Sequence, residues 1–417
     1  MSAELISILV LAVVFVIATT RSINMGALAF AAAFGVGGLV AGLDADGIFA
    51  GFPGDLFVVL VGVTYLFAIA RANGTTDWLV HAAIRLVRGR IALIPWVMFA
   101  ITGALTAIGA VSPAAVAIVA PIALSFAARY GISPLLMGAM VVHGAQGGGF
   151  SPISIYGSIV NGIVERENLP GSELTLFLGS LVANLVIAGI VFVLFGGLKL
   201  SGRRGEPEQK EQGQRGGSRL TPAISATLAA LVALVVAVLG FDLDAGLSSL
   251  TLAVVLSAVW PDTSRKAVGE IAWPTVLLIC GVLTYVGVME EMGTIDYAGH
   301  AVGDIGIPLL AAVLLCYIGA IVSAFASSVG IMGALIPLAV PFLAQGEIGA
   351  IGMITALAIS ATVVDVSPFS TNGALVLAAA PDVDRERFFR QLMVYGGIVV
   401  AMVPAAVWLV LVVPGFG

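Results

Sequence analysis

Charge is scarce in this sequence. Of its 417 residues only 10% are Asp, Glu, Lys or Arg, while 60% are hydrophobic; an average soluble domain carries about 25% charged residues. Such a chain has too little polar surface to face water, so its solvent is lipid. The net charge of −6 says little about partners, because the sign of the charge varies between loops; no nucleic-acid partner is expected. Cysteine is nearly absent: Cys280 and Cys316 lie in separate apolar runs and build neither a disulfide framework nor a metal motif. They read as small buried side chains. Histidine occurs only at positions 81, 143 and 300, too scattered for a zinc site. An intramembrane enzyme would need a nucleophile with a matching base. Only His143 and Asp365 offer one within apolar segments, at non-equivalent places, so no enzyme and no cofactor are expected.

What the sequence does contain is a series of long apolar runs. The first, "ELISILVLAVVFVIATTR", ends in Arg21 rather than in a small-residue cleavage site, and reads as a membrane span rather than a removable signal. The one long polar stretch, "KLSGRRGEPEQKEQGQRGGSR", runs from Lys199 to Arg219 without apolar periodicity. It reads as a flexible linker over 199–220, dividing a first unit, 1–198, from a second, 221–417.

The two units are internally related. At an offset of 219, Gly62, Gly74, Thr75, Asp77 and His81 fall on Gly281, Gly293, Thr294, Asp296 and His300. After a three-residue slip, Gly103, Ser112, Pro121 and Met137 fall on Gly319, Ser328, Pro337 and Met353. At that same offset of 216, Ser151, Pro152, Ser154 and Gly157 match Ser367, Pro368, Ser370 and Gly373.

A helix needs about 20 residues to cross the hydrocarbon core. On that scale each unit holds five crossings, a helix pair interrupted by small residues, and a helix broken near its middle. The pairs lie at about 92–128 and 307–344, the broken helices at about 134–163 and 350–380. The tips of the pairs, "GAVSPAAV" and "ASSVGIMG", carry no charge, so re-entrant hairpins ending at mid-depth are expected. Five crossings per unit invert the second relative to the first. Arg and Lys then gather on the linker side, which makes the linker cytoplasmic and puts both termini outside a plasma (inner) membrane. His81 and His300, beside Trp78 and Tyr297, read as membrane-surface anchors.

The expected fold is therefore an all-α polytopic membrane protein of two inverted repeats, an architecture associated with alternating-access transport. Backbone that leaves the helix at membrane depth is tolerated only when buried in protein or lining a wet cavity. Ser151-Pro152 and Ser367-Pro368 free carbonyls one turn earlier. The half-helices that follow present N–H groups and a positive dipole end. Substrate-binding candidates are thus Ser112, Pro113, Ser151, Ser154, Ser327, Ser328, Ser367, Ser370, Thr371 and Asn372. Asp365 has no twin, because Gly149 occupies its place; an ionisable residue at this depth is a functional candidate. With Gln146, Thr362 and His143 it forms the set for coupling to Na+ or H+. A cation/proton antiporter centred on Asp365 is the competing reading.

These residues resemble the ion transporter superfamily, and within it the divalent anion/Na+ symporters and the malonate-type dicarboxylate carriers. "GAVSPAAVAIVAPIAL" is similar to that group's first hairpin and "GAQGGGFSPIS" to its first broken helix, with "ASSVGIMGALIPLAV" and "ATVVDVSPFSTNG" as second-half counterparts. The resemblance implies a homodimer that moves C3–C4 dicarboxylates by an elevator motion, with Na+ at hairpin tips bearing Ser-Asn-Thr. Here the tips read Ser112-Pro113-Ala114 and Ser328-Val329-Gly330: the serines are kept, the asparagine and threonine are not.

Overall fold

The structure is a computed structural model of the chain. It describes residues 2–415 apart from 22, 85–89, 202–219, 242, 296, 298–307, 325–327, 345, 347 and 381–382. Ser327, His300 and nearly all of the expected linker lie outside the described residues, as does the side chain of His81.

The described residues are helical, with no β-strand among them. In the first half the helices are α1 (Ala3–Thr20), α2 (Met25–Leu39), α3 (Ala45–Ala50), α4 (Gly54–Ala72), α5 (Thr75–Ile84), α6 (Ile94–Ala107), α7 (Ser112–Tyr130), α8 (Pro134–Gly148), α9 (Ile155–Arg166) and α10 (Glu173–Leu194). The second half contains α11 (Pro222–Phe241), α12 (Ala245–Val259), α13 (Pro261–Gly269), α14 (Trp273–Glu291), α15 (Pro308–Ser323), α16 (Ser328–Ala344), α17 (Ala350–Val363), α18 (Thr371–Ala379) and α19 (Arg385–Val407). Among the described residues, seven helical stretches are long and apolar enough to cross a membrane, and shorter apolar helices accompany them.

Local chemistry sets the helix ends. Asn24 accepts from the Gly26 and Ala27 N–H groups, Asp44 from Gly47, Asp244 from Leu247 and Asp384 from Arg387. Each side chain satisfies amides that the helix itself leaves without a partner. Gly131, at φ +60, closes α7 in the left-handed conformation that a side chain disfavours. Helix starts in the two halves keep the register of the sequence repeat: Ser112 and Ser328, Pro134 and Ala350, Ile155 and Thr371 are each 216 residues apart.

The helices sort into two packing groups. One contains α1 to α4 with α11 to α14, the other α6 to α10 with α15 to α19. In the first group the halves interlock reciprocally, α2 against α14 and α4 against α12. These crossings are close: a Cβ on Gly281 would sit 2.0 Å from the Gly26 carbonyl oxygen, and one on Gly246 would sit 2.7 Å from the Val59 Cα. Apolar attraction cannot drive helices together inside lipid, so association depends on small residues that allow backbones to approach. In the second group the interlock recurs. Helix α7 packs on α18 and α16 on α9, so each hairpin's returning helix leans on the other half's half-helix.

Candidate functional site

Both broken helices are built by the same hydrogen bonds. In the first, the Ser154 hydroxyl donates to the carbonyls of Gly149 (2.5 Å) and Ser151 (2.7 Å), and accepts from the Gly157 N–H at 3.2 Å. In the second, Ser370 donates to Asp365 (2.5 Å) and Ser367 (2.7 Å), and accepts from Gly373 at 3.2 Å. The serine after each Ser-Pro pair therefore satisfies carbonyls freed by the break and caps the half-helix that follows. Ser151 donates to the carbonyl of Ala107, tying the first break to α6. The Ser367 hydroxyl accepts from the Phe369 N–H at 3.3 Å, while Thr371 is exposed.

At the second break these elements converge on Asp365, which is buried. Its Oδ1 accepts from the Ser328 hydroxyl at 2.6 Å, and its Oδ2 from Gln146 Nε2 at 2.7 Å and Asn372 Nδ2 at 3.5 Å. Asn372 Nδ2 also reaches Ser112 Oγ at 2.8 Å, and Gln146 Nε2 lies 3.4 Å from that oxygen. Ser323, at the end of α15, donates to Ser328 Oγ (2.9 Å) and to the Ala361 carbonyl. One carboxylate thus gathers the starts of α7 and α16, the end of α8 and the start of α18.

Two acceptors in this cluster have no donor: Gln146 Oε1 and Asn372 Oδ1 are buried and unpaired. An orphaned buried oxygen is costly in lipid. The amide nitrogens of both residues face Asp365 and Ser112, so each oxygen is the unused end of an amide already bound to the cluster. The space between Ser112, Gly149 and Tyr156 is closed to water.

Thr362 donates to the carbonyl of Ala358, within its own helix. His143 is buried in a separate network, with Nδ1 2.9 Å from Asn184 Oδ1 and Nε2 2.6 Å from the Tyr395 hydroxyl. Pro113 lines a separate cavity of about 280 Å3 with Thr64, Arg71, Val111 and Glu270. Asn184 and Tyr395, which hold His143, Ser323, which bonds Ser328, and Arg71, which lines the cavity, are positions that sequence reasoning missed. Nothing local marks the first three; the ordinary helix-end context of Arg71 hides it. Among the described residues no His, Cys, Asp and Glu group forms a metal cluster. At the far end of α9, Glu167 is half buried; burial, with Glu290 adding to it, pushes its carboxyl pKa up to about 7, partly offset by Arg166.

This geometry has counterparts elsewhere. Residues 1–149 match the dicarboxylate carrier protein MatC N-terminus. The matched stretch takes in the first hairpin and α8, ending at the first break. No curated protein sequence matches the chain. Among solved structures, the YdaH transporter of Alcanivorax borkumensis, a crystal structure described as having an unusual topology, aligns with a TM-score of 0.59. The alignment covers 88% of this chain and 89% of that one at 12% identity, a likeness of fold alone. The chain thus shares the fold of that transporter, and its described residues include seven helical stretches long and apolar enough to cross a membrane.

Proposed function

We propose that the chain is a secondary active transporter of small organic anions, C3–C4 dicarboxylates first among them, coupled to Na+ or H+ through Asp365. One observation carries the coupling: a buried carboxylate, with two unpaired amide oxygens beside it, joins both hairpin tips to both broken helices. A group that ties these elements together is placed to make their movement depend on an ion. The substrate class is supported by the family matched over residues 1–149.

The remaining features belong to the same reading. The two packing groups support an elevator motion in which the hairpins and broken helices travel against the interlocked helices α1–α4 and α11–α14. The halves are inverted repeats, the hairpins re-entrant, and the molecule a homodimer in the plasma membrane with its termini outside. Ser112, Ser328 and Asn372 contact the substrate once the tips separate, and Gln146 serves the ion. Ser151, Ser154, Ser367 and Ser370 hold the breaks in shape, and the half-helix amides they leave free face the anion.

A second reading, cation/proton antiport through Asp365, is favoured because among the described residues that carboxylate bonds Ser328, Gln146 and Asn372, none of them cationic. Proteoliposome uptake of labelled succinate and malonate under imposed Na+ or H+ gradients separates the two. Gradient-driven uptake that Ser112→Phe abolishes supports the symporter. Na+-driven proton release without any organic anion selects the antiporter, and unchanged uptake in Ser112→Phe removes the site assignment.

A further inference from the structure

The hairpin tip at Gly109–Ala114 is a partition with two different faces. Ser112 points toward Gln146 and Asn372. Gly109, Val111, Pro113 and Ala114 instead line the 280 Å3 cavity, which α4 and the start of α14 also line. At about 30 Å3 per water this holds roughly nine waters, enough for a small organic anion with part of its hydration shell. Among the described residues Arg71 is the one cation lining the cavity and Glu270 the one acid.

Their ion pair is built to exchange. Arg71 Nε lies 3.1 Å from Glu270 Oε2, and its terminal nitrogen binds the same oxygen, so one carboxylate oxygen takes both contacts. The two side chains are 40% and 46% exposed. A pair that open is weak, screened by water on both sides. A ligand carboxylate that spreads both guanidinium donors over two oxygens gains the stronger bidentate geometry.

Two further observations point to an anion. Helices α7 and α14, of 19 residues each, both begin at the cavity, and their first turns carry Pro113 and Pro274. The amides of Ala114, Ala115, Thr275 and Val276 bond to backbone carbonyls, so what the helices offer the cavity is the dipole and not free N–H groups. Their positive dipole ends face the same space. The repeat supplies the contrast: at the offset of 219 the twin of Arg71 is Glu290, which sits beside Glu167. The duplicated scaffold therefore does not require a cation at this position.

We propose that this cavity is an anion vestibule, in which Arg71 exchanges Glu270 for one carboxylate of the substrate before it passes the first hairpin tip. The inference rests on the transport reading above for its substrate class. Arg71 is then a specificity residue outside the Asp365 cluster, and it favours dianions, which keep one carboxylate free for the tip.

The test is a set of thermal shifts of purified full-length protein against succinate, sulfate and chloride, for wild type, R71Q, E270Q and the double variant, since bound ligand raises the stability of the folded state. R71Q is expected to weaken succinate binding by about tenfold. E270Q, which frees Arg71, is expected to tighten it by up to about fivefold, and the double variant to behave as R71Q does. A pair serving only structure would give both single variants the same sign, with recovery in the double, and that pattern overturns the inference. An anion bound equally by wild type and R71Q overturns it while leaving the transport reading intact. A wild type that binds none of the three anions overturns both.

Discussion

Gly373→Ala is the sharpest perturbation of the second break. Gly373 is the third residue of α18, and a Cβ there would lie 1.9 Å from the Ser367 carbonyl oxygen and 2.7 Å from that of Val366. Both obstacles are backbone, so no rotamer change relieves the clash; the half-helix must retreat by about 1 Å to restore a tolerable contact. Asn372 moves with it. Its 2.8 Å bond to Ser112 and its 3.5 Å contact with Asp365 then pass beyond hydrogen-bonding range. A misplacement of this size at a functional site costs on the order of a hundredfold in rate. The overpacking costs about 1–3 kcal/mol, which leaves a folded protein to assay. Initial uptake rates in proteoliposomes, normalised to monodisperse protein, measure the effect. The twin substitution Gly157→Ala meets the Ser151 carbonyl at 2.0 Å and acts alike, whereas Gly189→Ala in α10 meets nothing within 4 Å and serves as control. Gly373→Ala transporting as fast as Gly189→Ala would refute the claim that the geometry of the break sets the rate.

Gly148→Ala places a methyl 1.9 Å from the Gly103 carbonyl oxygen at the α6–α8 contact; it should lower the thermal midpoint and shift the protein toward aggregate in size-exclusion profiles. His143→Ala strands the Asn184 and Tyr395 partners in the interior, a loss of about 2–4 kcal/mol, and an unchanged midpoint would count against the network. Glu167 binds its proton more tightly folded than unfolded, since burial and then Glu290 raise its pKa to about 7 from 4.5. Its contribution to stability is therefore full below pH 4.5 and lost as pH rises through 7. Midpoints should rise from pH 8 to pH 5.5 in wild type, and Glu167→Gln should flatten that slope.

The parts of the fold legible in the sequence were those written in local chemistry. The Ser-Pro pairs marked both breaks because each recurs at one offset beside a second serine; proline alone is no such mark, since Pro121 and Pro404 stand inside continuous helices. The 216-residue offset anticipated the helix starts, since a duplicated segment keeps its caps and turns. The division of labour among the serines was not legible. Ser154 and Ser370 spend their hydroxyls on the break itself, and nothing in their spacing separates that task from contact with a ligand. Asp365 was visible as an unmatched charge, but its partners come from residues 219 and 37 positions away, which only the packing of the halves decides. Arg71 was hidden because a cation in the last turn of a helix has an ordinary explanation; only the cavity beside it raises another.

Ion-coupled movement through Asp365 is tested most directly by comparing driven uptake with exchange in one variant. Asp365→Asn keeps the size of the side chain and removes its charge. In proteoliposomes it should lose accumulation of labelled dicarboxylate under an imposed Na+ or H+ gradient while still exchanging internal for external substrate. Accumulation at the wild-type level in Asp365→Asn would contradict the assignment of coupling to this carboxylate.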